Sequence, residues 1–284
     1  MSSKIQNLKS SDNLSRSHLD VLASLMSGVR NNGRKLLIPY FTAGYPSLRA
    51  TYDLAKLAED CGADILELGA PFSDPLADGP TIQKSSQIAL DNGVNLESIL
   101  NLVEKIRVKS NLPIFIMGYY NPIEAFGPRR FVKAASASGL TGMIIPDLPP
   151  EEGEEFTGFA KESNVAVTFL AAPTSTAKRL KKIDSMSTHF VYAVTVAGVT
   201  GARKSFGTET LGALRRFRHA LRKPFVAGFG VSTPQNAAKL ARVSDGVVIG
   251  SALIKALDGS GYRAGSKQIA NLLTAVRKSL DGLT

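Results

Sequence analysis

Two carboxylates eleven positions apart, Glu67 and Asp78, are the side chains of this sequence best placed for proton-transfer chemistry. Glu67 lies inside a short apolar run, Ile65 to Leu68, bounded by turn residues, which is the pattern of a buried strand. A carboxylate in such a strand is costly unless something pairs it or uses it. The pattern then breaks: Pro71, Pro75, Gly79 and Pro80 punctuate a loop that carries Asp74 and Asp78. Proline fixes φ, so this loop can hold an aspartate in place. One acid at a strand end and another on the stiff loop after it sit in different environments, and can therefore take different proton-transfer roles. A structural reading stands beside the chemical one, with Glu67 paired to an interior Lys or Arg and Asp78 bonded to loop backbone.

The elements that must position these acids alternate along the chain. Apolar runs at residues 36–42, 65–69, 113–119, 142–146, 166–171, 190–196, 225–228 and 246–249 read as strands. Helical patterns lie between or after them at 48–60, 82–91, 96–108, 128–138, 176–184, 209–221, 234–241 and 267–279, with a first helix at 19–30. Asp147, followed by Pro149, Pro150 and four glutamates, predicts another helix start: a capping Asp, prolines in the first turn and negative charge at the positive dipole end. Strands in alternation with helices predict a parallel sheet. Near-continuous apolar strands such as 246–250 fit strands covered on both faces. Eight such units in 284 residues predict a single α/β domain, a (β/α)8 TIM barrel over residues 19–284 with an N-terminal helix and short extra helices in its loops. Residues 1–18 form a polar, Ser-rich, flexible arm without the apolar core of a secretory signal.

Chemistry in such barrels sits at the C-terminal strand ends, and phosphate often binds after the seventh and eighth strands. Here Gly228-Phe-Gly230 ends the seventh, and Gly250-Ser251 ends the eighth and opens a short helix at 252–256. Glycines let backbone N–H groups approach an anion, and a helix N-terminus favours negative charge; plain tight turns are the other reading. The connection at 197–207 after the sixth strand, with Gly198, Gly201 and Gly207, is a candidate lid or simply a surface loop. Tyr40, Ile82, Met117, Ile144 and Phe229 read as barrel core on spacing alone, and Tyr192 has a hydroxyl that a buried site must satisfy.

Composition closes off other classes. The three histidines do not cluster with Asp, Glu or Cys, so no metal site is expected. No Gly-x-Gly-x-x-Gly or P-loop follows a strand, which argues against dinucleotides and nucleoside triphosphates. One cysteine, Cys61, excludes an intrachain disulfide and fits a reducing compartment such as the cytoplasm. No apolar run approaches the ~20 residues of a membrane span. Of the net charge of +10, residues 171–223 supply +9, from eleven bases and two acids. Aromatics are not interleaved with those bases, so solvated helix faces are favoured over a nucleic-acid site. The positive field can draw in an anionic substrate.

The run from Glu67 through Leu-Gly-Ala-Pro-Phe-Ser-Asp-Pro-Leu-Ala-Asp-Gly-Pro80 resembles the signature of the tryptophan synthase alpha subunit family. The resemblance continues through Tyr40–Pro46, Met117–Pro122, Pro146–Pro149, Gly198–Arg203, Gly228–Ser232 and Gly250–Ala252, and covers roughly residues 20 to 280. It implies a lyase that cleaves indole-3-glycerol phosphate to indole and glyceraldehyde 3-phosphate. Glu67 would then be the general acid and base, and Asp78 the acceptor of the indole N–H. It places Tyr40, Ile82, Met117, Ile144 and Phe229 around the indole ring and Tyr192 beside Glu67. Gly201 joins Gly230, Gly250 and Ser251 at the phosphate, and Thr200 reaches Asp78 when the lid shuts. The implied assembly is an α2β2 complex with a beta subunit that carries pyridoxal phosphate; this chain would hold no cofactor. The partner surface would include the Asp78 loop and residues 121–127. Two other roles stay open at this stage: a freestanding lyase that releases indole, and a mainly allosteric activator of the beta subunit.

Overall fold

The computed structural model describes residues 17–195, 207–228 and 230–283. Nine strands run in chain order: β1 (Leu36–Thr42), β2 (Leu66–Gly69), β3 (Ile114–Met117), β4 (Gly142–Ile144), β5 (Ala166–Thr168), β6 (Leu170–Ala171), β7 (Val191–Val194), β8 (Phe225–Gly228) and β9 (Gly246–Ile249). Their order in the sheet is β5-β4-β3-β2-β1-β9-β8-β7-β6, and the ladders joining them are parallel. This is the expected (β/α)8 barrel, with one strand in two pieces. The apolar run 166–171 is interrupted at Phe169. There the N–H of Val167 donates to Thr188 Oγ1 and that of Phe169 to Ser187 Oγ, so hydroxyls replace ladder carbonyls. The chain pairs with β4 before the interruption and with β7 after it, which brings the ends of the sheet together.

Helices cover the outside of this sheet. α1 (His18–Asn32) starts at a capping box between Ser17 and Asp20 and stops at Gly33, whose φ of 68° continues the chain in the left-handed region. Its Leu22, Met26 and Val29 are buried, and Leu19 shares a groove with Asn164, Val165 and Thr188 beside the N-terminal ends of the strands. α2 (Leu48–Asp60), α3 (Pro80–Asp91), α4 (Leu96–Arg107), α5 (Tyr120–Phe126), α6 (Pro128–Ala137), α7 (Glu154–Glu162), α8 (Ala177–Met186), α9 (Thr208–Ala220) and α10 (Pro234–Ala241) follow. The last helix, α11 (Ser251–Asp281), joins the expected short helix and the closing helix through a break at Gly261, where φ is 70° and ψ 161°.

One local reading needs correction. Asp147 does not cap the helix after it: α7 starts from Gly153, with Glu154 and Glu155 in its first turn. The Asp147 carboxylate instead accepts from the backbone N–H of Tyr120, at 2.9 and 3.2 Å, and so holds the first turn of α5. That helix has no counterpart among the predicted elements. Pro122 lies in its first turn, where the missing N–H costs nothing. In the basic window 171–223, Lys178, Arg179, Lys181, Arg215, Arg216, Arg218 and Arg222 are exposed on the surface. Arg218 makes a two-point bond to Asp245 at 2.8 and 3.0 Å, and buried Asp184 accepts from the N–H groups of Arg222 and Lys223.

Inside the barrel the packing is aromatic as well as aliphatic. Phe115 and Phe190 meet edge to face with ring centroids 5.2 Å apart. Among the described residues no helix is long and apolar enough to cross a membrane.

Candidate active site

Glu67 is the second residue of β2 and points into the barrel, with 1% of its surface exposed. Neither carboxyl oxygen has a hydrogen-bond partner among the described residues. The structural reading, an interior Lys or Arg paired to it, is therefore not what the fold provides. Burial, with a further contribution from the charge of Asp78, pushes its pKa up to about 8. At neutral pH the side chain is mostly a neutral acid, which is how the fold tolerates it inside an apolar barrel.

Asp78 lies on the loop between β2 and α3. The loop is closed by backbone bonds from Leu76 N–H to Asp74 O and from Asp78 N–H to Pro75 O, before Pro80 opens α3. Burial raises the Asp78 pKa to about 6, and a hydrogen bond from Tyr119 opposes that rise. The Tyr119 hydroxyl accepts from the Ala77 N–H at 2.9 Å and donates to Asp78 Oδ2 at 3.3 Å. It thus ties the loop after β2 to the loop after β3. Tyr119→Phe is expected to lower kcat/KM about tenfold, the size of one hydrogen bond to a charged group. It should also move the Asp78 titration upward, since the bond favours the ionised form; a pH profile of kcat/KM reads both effects.

Both acids line a small cavity, about 40 Å³ in volume, at the C-terminal ends of the strands, together with Tyr40, Ile82, Met117, Tyr192, Gly230, Val231, Val248, Gly250 and Ser251. Two glycines make room for its tyrosines. A Cβ on Gly69 would lie 2.0 Å from the Tyr40 hydroxyl, and one on Gly228 would lie 2.3 Å from the Tyr192 ring. Burial, aided by Asp78 for Tyr40 and by Glu67 for Tyr192, holds both phenols well above their ordinary pKa, so they stay protonated. Tyr45 and Lys84 both bond to Asp258, tying the loop after β1 and helix α3 to the first part of α11. Helix α3, which carries Ile82 into the cavity wall, is thereby linked to the helix whose N-terminus is Gly250-Ser251.

Most residues singled out in the sequence meet here. Tyr40, Ile82, Met117, Tyr192, Gly230, Gly250 and Ser251 line one cavity with the two acids. Ile144 is buried on β4 beside Met117 but is not part of the cavity wall. Thr200 and Gly201, with the rest of residues 196–206, and Phe229 lie outside the described residues. Sequence reasoning passed over Val231 and Val248, whose ordinary apolar character carries no signal. It also passed over Tyr119 as the holder of Asp78, although Tyr119 stands inside the Met117–Pro122 motif. Among the described residues no three His, Cys, Asp or Glu side chains converge as a metal site.

A buried acid with no partner among the described residues, a second acid held by a tyrosine, and a helix N-terminus thus line one cavity. The model of the family described as tryptophan synthase alpha chain matches residues 26–281. The chain belongs to the tryptophan synthase alpha chain family. The tryptophan synthase alpha chain of Geobacter sulfurreducens is 43% identical over 259 residues, spanning 91% of this chain and 98% of that one. That of Xanthomonas campestris pv. campestris is 43% identical over 265 residues, spanning 92% and 97%. Among solved structures, tryptophan synthase subunit alpha of Legionella pneumophila superposes with a TM-score of 0.84 at 32% identity, covering 94% of this chain and all of that one. A chain of the tryptophan synthase α2β2 complex of Pyrococcus furiosus superposes with a TM-score of 0.80 at 41% identity, covering 86% and 98%. As members of the tryptophan synthase alpha chain family, these chains run almost end to end with this one.

Proposed function

We propose that this chain is a lyase of tryptophan biosynthesis, cleaving indole-3-glycerol phosphate to indole and glyceraldehyde 3-phosphate. The observation that carries the reading is the buried, unpartnered carboxyl of Glu67 in the same cavity as Asp78. The reaction is a retro-aldol step. Indole C3 takes a proton, the bond from C3 to the glycerol chain breaks, and the adjoining hydroxyl loses its proton as the aldehyde forms. A neutral Glu67 can give the first proton, and the carboxylate left behind can take the second, so one residue serves as acid and then as base.

Protonation at C3 puts positive charge on the ring nitrogen. Asp78, ionised above about pH 6, accepts the N–H and offsets that charge as it develops. The phosphate sits at Gly230, Gly250 and Ser251, where the N-terminus of α11 offers N–H groups and a favourable dipole. The cycle returns both acids to their starting states, and neither proton transfer calls for a cofactor.

The partner in this reading is a tryptophan synthase beta subunit, in an α2β2 assembly with pyridoxal phosphate held by the beta chain. The loop after β2 supports it: Leu76 is 87% exposed and shares a surface groove with Phe72, Tyr119 and Pro146. Helix α5, within the 121–127 segment, lies beside this surface, since Asn121 lines the same groove. A cytoplasmic setting fits a chain whose sole cysteine is Cys61.

The test is indole release from indole-3-glycerol phosphate by the purified chain, alone and with a beta subunit. Release that rises with the beta subunit supports the reading. Full activity alone, unchanged by the partner, points to a freestanding lyase, and no release in either case overturns it.

A further inference from the structure

Asp258 is not among the residues that line the cavity, yet two elements beside the cavity hold it. Its Oδ1 accepts from the Tyr45 hydroxyl and from Lys84 Nζ, the latter at 3.0 Å. Tyr45, on the loop after β1, is buried. That loop is itself fixed. The Gly44 N–H donates to Thr51 Oγ1 at 3.0 Å, and Asn92 Nδ2, at the end of α3, donates to the Pro46 carbonyl at 3.1 Å. Lys84 stands on α3, whose Ile82 lines the cavity and which begins at Pro80, just after Asp78.

Asp258 itself belongs to the first part of α11, residues 251–260. This stretch runs from its N-cap, Gly250, to the break at Gly261. Non-helical backbone at the break sets its axis apart from that of the rest of α11. Its orientation therefore rests on buried Leu253, Ile254 and Leu257, which pack on the core, and on the contacts of Asp258. Apolar packing is non-directional, whereas a charged hydrogen bond fixes direction. Asp258 and Ser251 are two helical turns apart, about 10 Å along the axis, and share a face of the helix. The N–H groups of Leu253 and Ile254 bond back to the Gly250 carbonyl at 2.7 and 3.1 Å, which leaves those of Ser251 and Ala252 ahead of the first helical bonds, at the cavity end.

Under the reading given as Proposed function, on which this inference rests, that helix terminus receives the phosphate. We infer that Asp258 is a positioning residue for the phosphate end of the ligand: its clasp to Tyr45 and Lys84 sets how the N-terminus of α11 faces the cavity. The same clasp fixes that terminus relative to α3, and so to Asp78 at the other end of the ligand. A direct electrostatic role would have the opposite sign. A carboxylate repels a bound phosphate, so removing a charge that acts through space tightens phosphate binding. Removing a clasp that aims the helix terminus weakens it.

The experiment measures binding of inorganic phosphate, glycerol 3-phosphate and indole by calorimetry in wild type, Asp258→Ala and Asp258→Glu, alongside steady-state cleavage of indole-3-glycerol phosphate. Asp258→Ala should weaken both phosphate ligands about five- to tenfold, the scale of an anion at a partly buried helix terminus, and leave indole binding unchanged. KM should rise by a similar factor with kcat little altered, because the phosphate is held alike in the ground and transition states. Asp258→Glu, which keeps the carboxylate for both donors, should restore most of the affinity. Tyr45→Phe should cause part of the loss in wild type and none in Asp258→Ala, as partners in one clasp must. Unchanged or tighter phosphate binding in Asp258→Ala would overturn the inference. So would equal weakening of the phosphate ligands and indole with a lowered urea midpoint, which is the mark of a merely structural residue. A wild type that binds neither phosphate ligand overturns both the inference and the phosphate site beneath it. Clasp-sensitive phosphate binding in a chain that cleaves nothing upholds the inference and refutes the lyase reading. Cleavage with phosphate affinity indifferent to Asp258 does the reverse.

Discussion

Glu67→Gln is expected to fold, to bind indole-3-glycerol phosphate and to lose cleavage by about a thousandfold or more in kcat. Glutamine keeps the size and neutrality of the acid as it stands in the resting cavity but cannot deliver or take a proton. General acid–base catalysis by one group contributes about 10²- to 10⁴-fold, and here one carboxyl serves both transfers. Single-turnover rates with ligand affinity measured alongside read the result, and parental turnover by pure Glu67→Gln would sink the assignment.

The same substitution should stabilise the protein in a pH-dependent way. The Glu67 carboxyl has a pKa of about 8 in the folded state, against an ordinary value of 4.5. Below pH 4.5 it is protonated in both states and does not discriminate between them. From there to about 8 the unfolded chain ionises while the folded one keeps its proton. Wild-type stability therefore falls as pH rises through that window. Glutamine has no such loss. The variant should match wild type near pH 4.5 and exceed it by on the order of a few kcal/mol near pH 8.5, as read from urea midpoints. A parallel pH dependence in both proteins would mean that Glu67 is not held as a neutral acid.

Asp78→Asn is expected to lower kcat about 10²- to 10³-fold with KM changed only a few-fold. Asparagine can still accept the indole N–H, so the ground-state contact survives. What is lost is the charge facing a ring that becomes positive in the transition state, and charge placed where charge develops acts on kcat. A rise in KM with kcat intact would contradict this. The pH profile gives a second readout. Wild-type kcat/KM should be bell-shaped between limbs near 6 and 8, with Asp78 ionised and Glu67 protonated in the active form. The acid limb should vanish in Asp78→Asn. The basic limb should move to lower pH, because the Asp78 charge helps to hold the Glu67 pKa up.

These predictions use two residues visible in the sequence, and the reason they were visible is physical. Glu67 is conspicuous because an acid inside an apolar strand is expensive, and Asp78 because prolines stiffen the loop around it. The (β/α)8 fold was legible for a similar reason: strands buried on both faces must be apolar throughout, and the helices that cover them must be amphipathic. Both patterns are written locally, residue by residue. Gly230 and Gly250, expected from the sequence near the ends of the seventh and eighth strands, line one cavity in the fold.

What remained belonged to relations between distant segments. No local pattern shows that Phe169 changes neighbours, because that depends on the Ser187 and Thr188 hydroxyls arriving from another unit. Asp147 has the composition of a helix cap, and it does hold a helix terminus, but the one at Tyr120, which only folding brings near. Tyr119 looks like any aromatic after a strand until its hydroxyl meets Ala77 and Asp78 across two loops. The sequence alone determined the sheet, its helices and the two acids, since burial and chain stiffness are properties of short stretches. The tertiary structure decided which polar groups would find partners. It gave Asp78 a tyrosine and left Glu67 with no partner among the described residues, because hydrogen bonding inside a barrel depends on what lies across the interior, on strands far apart in the chain.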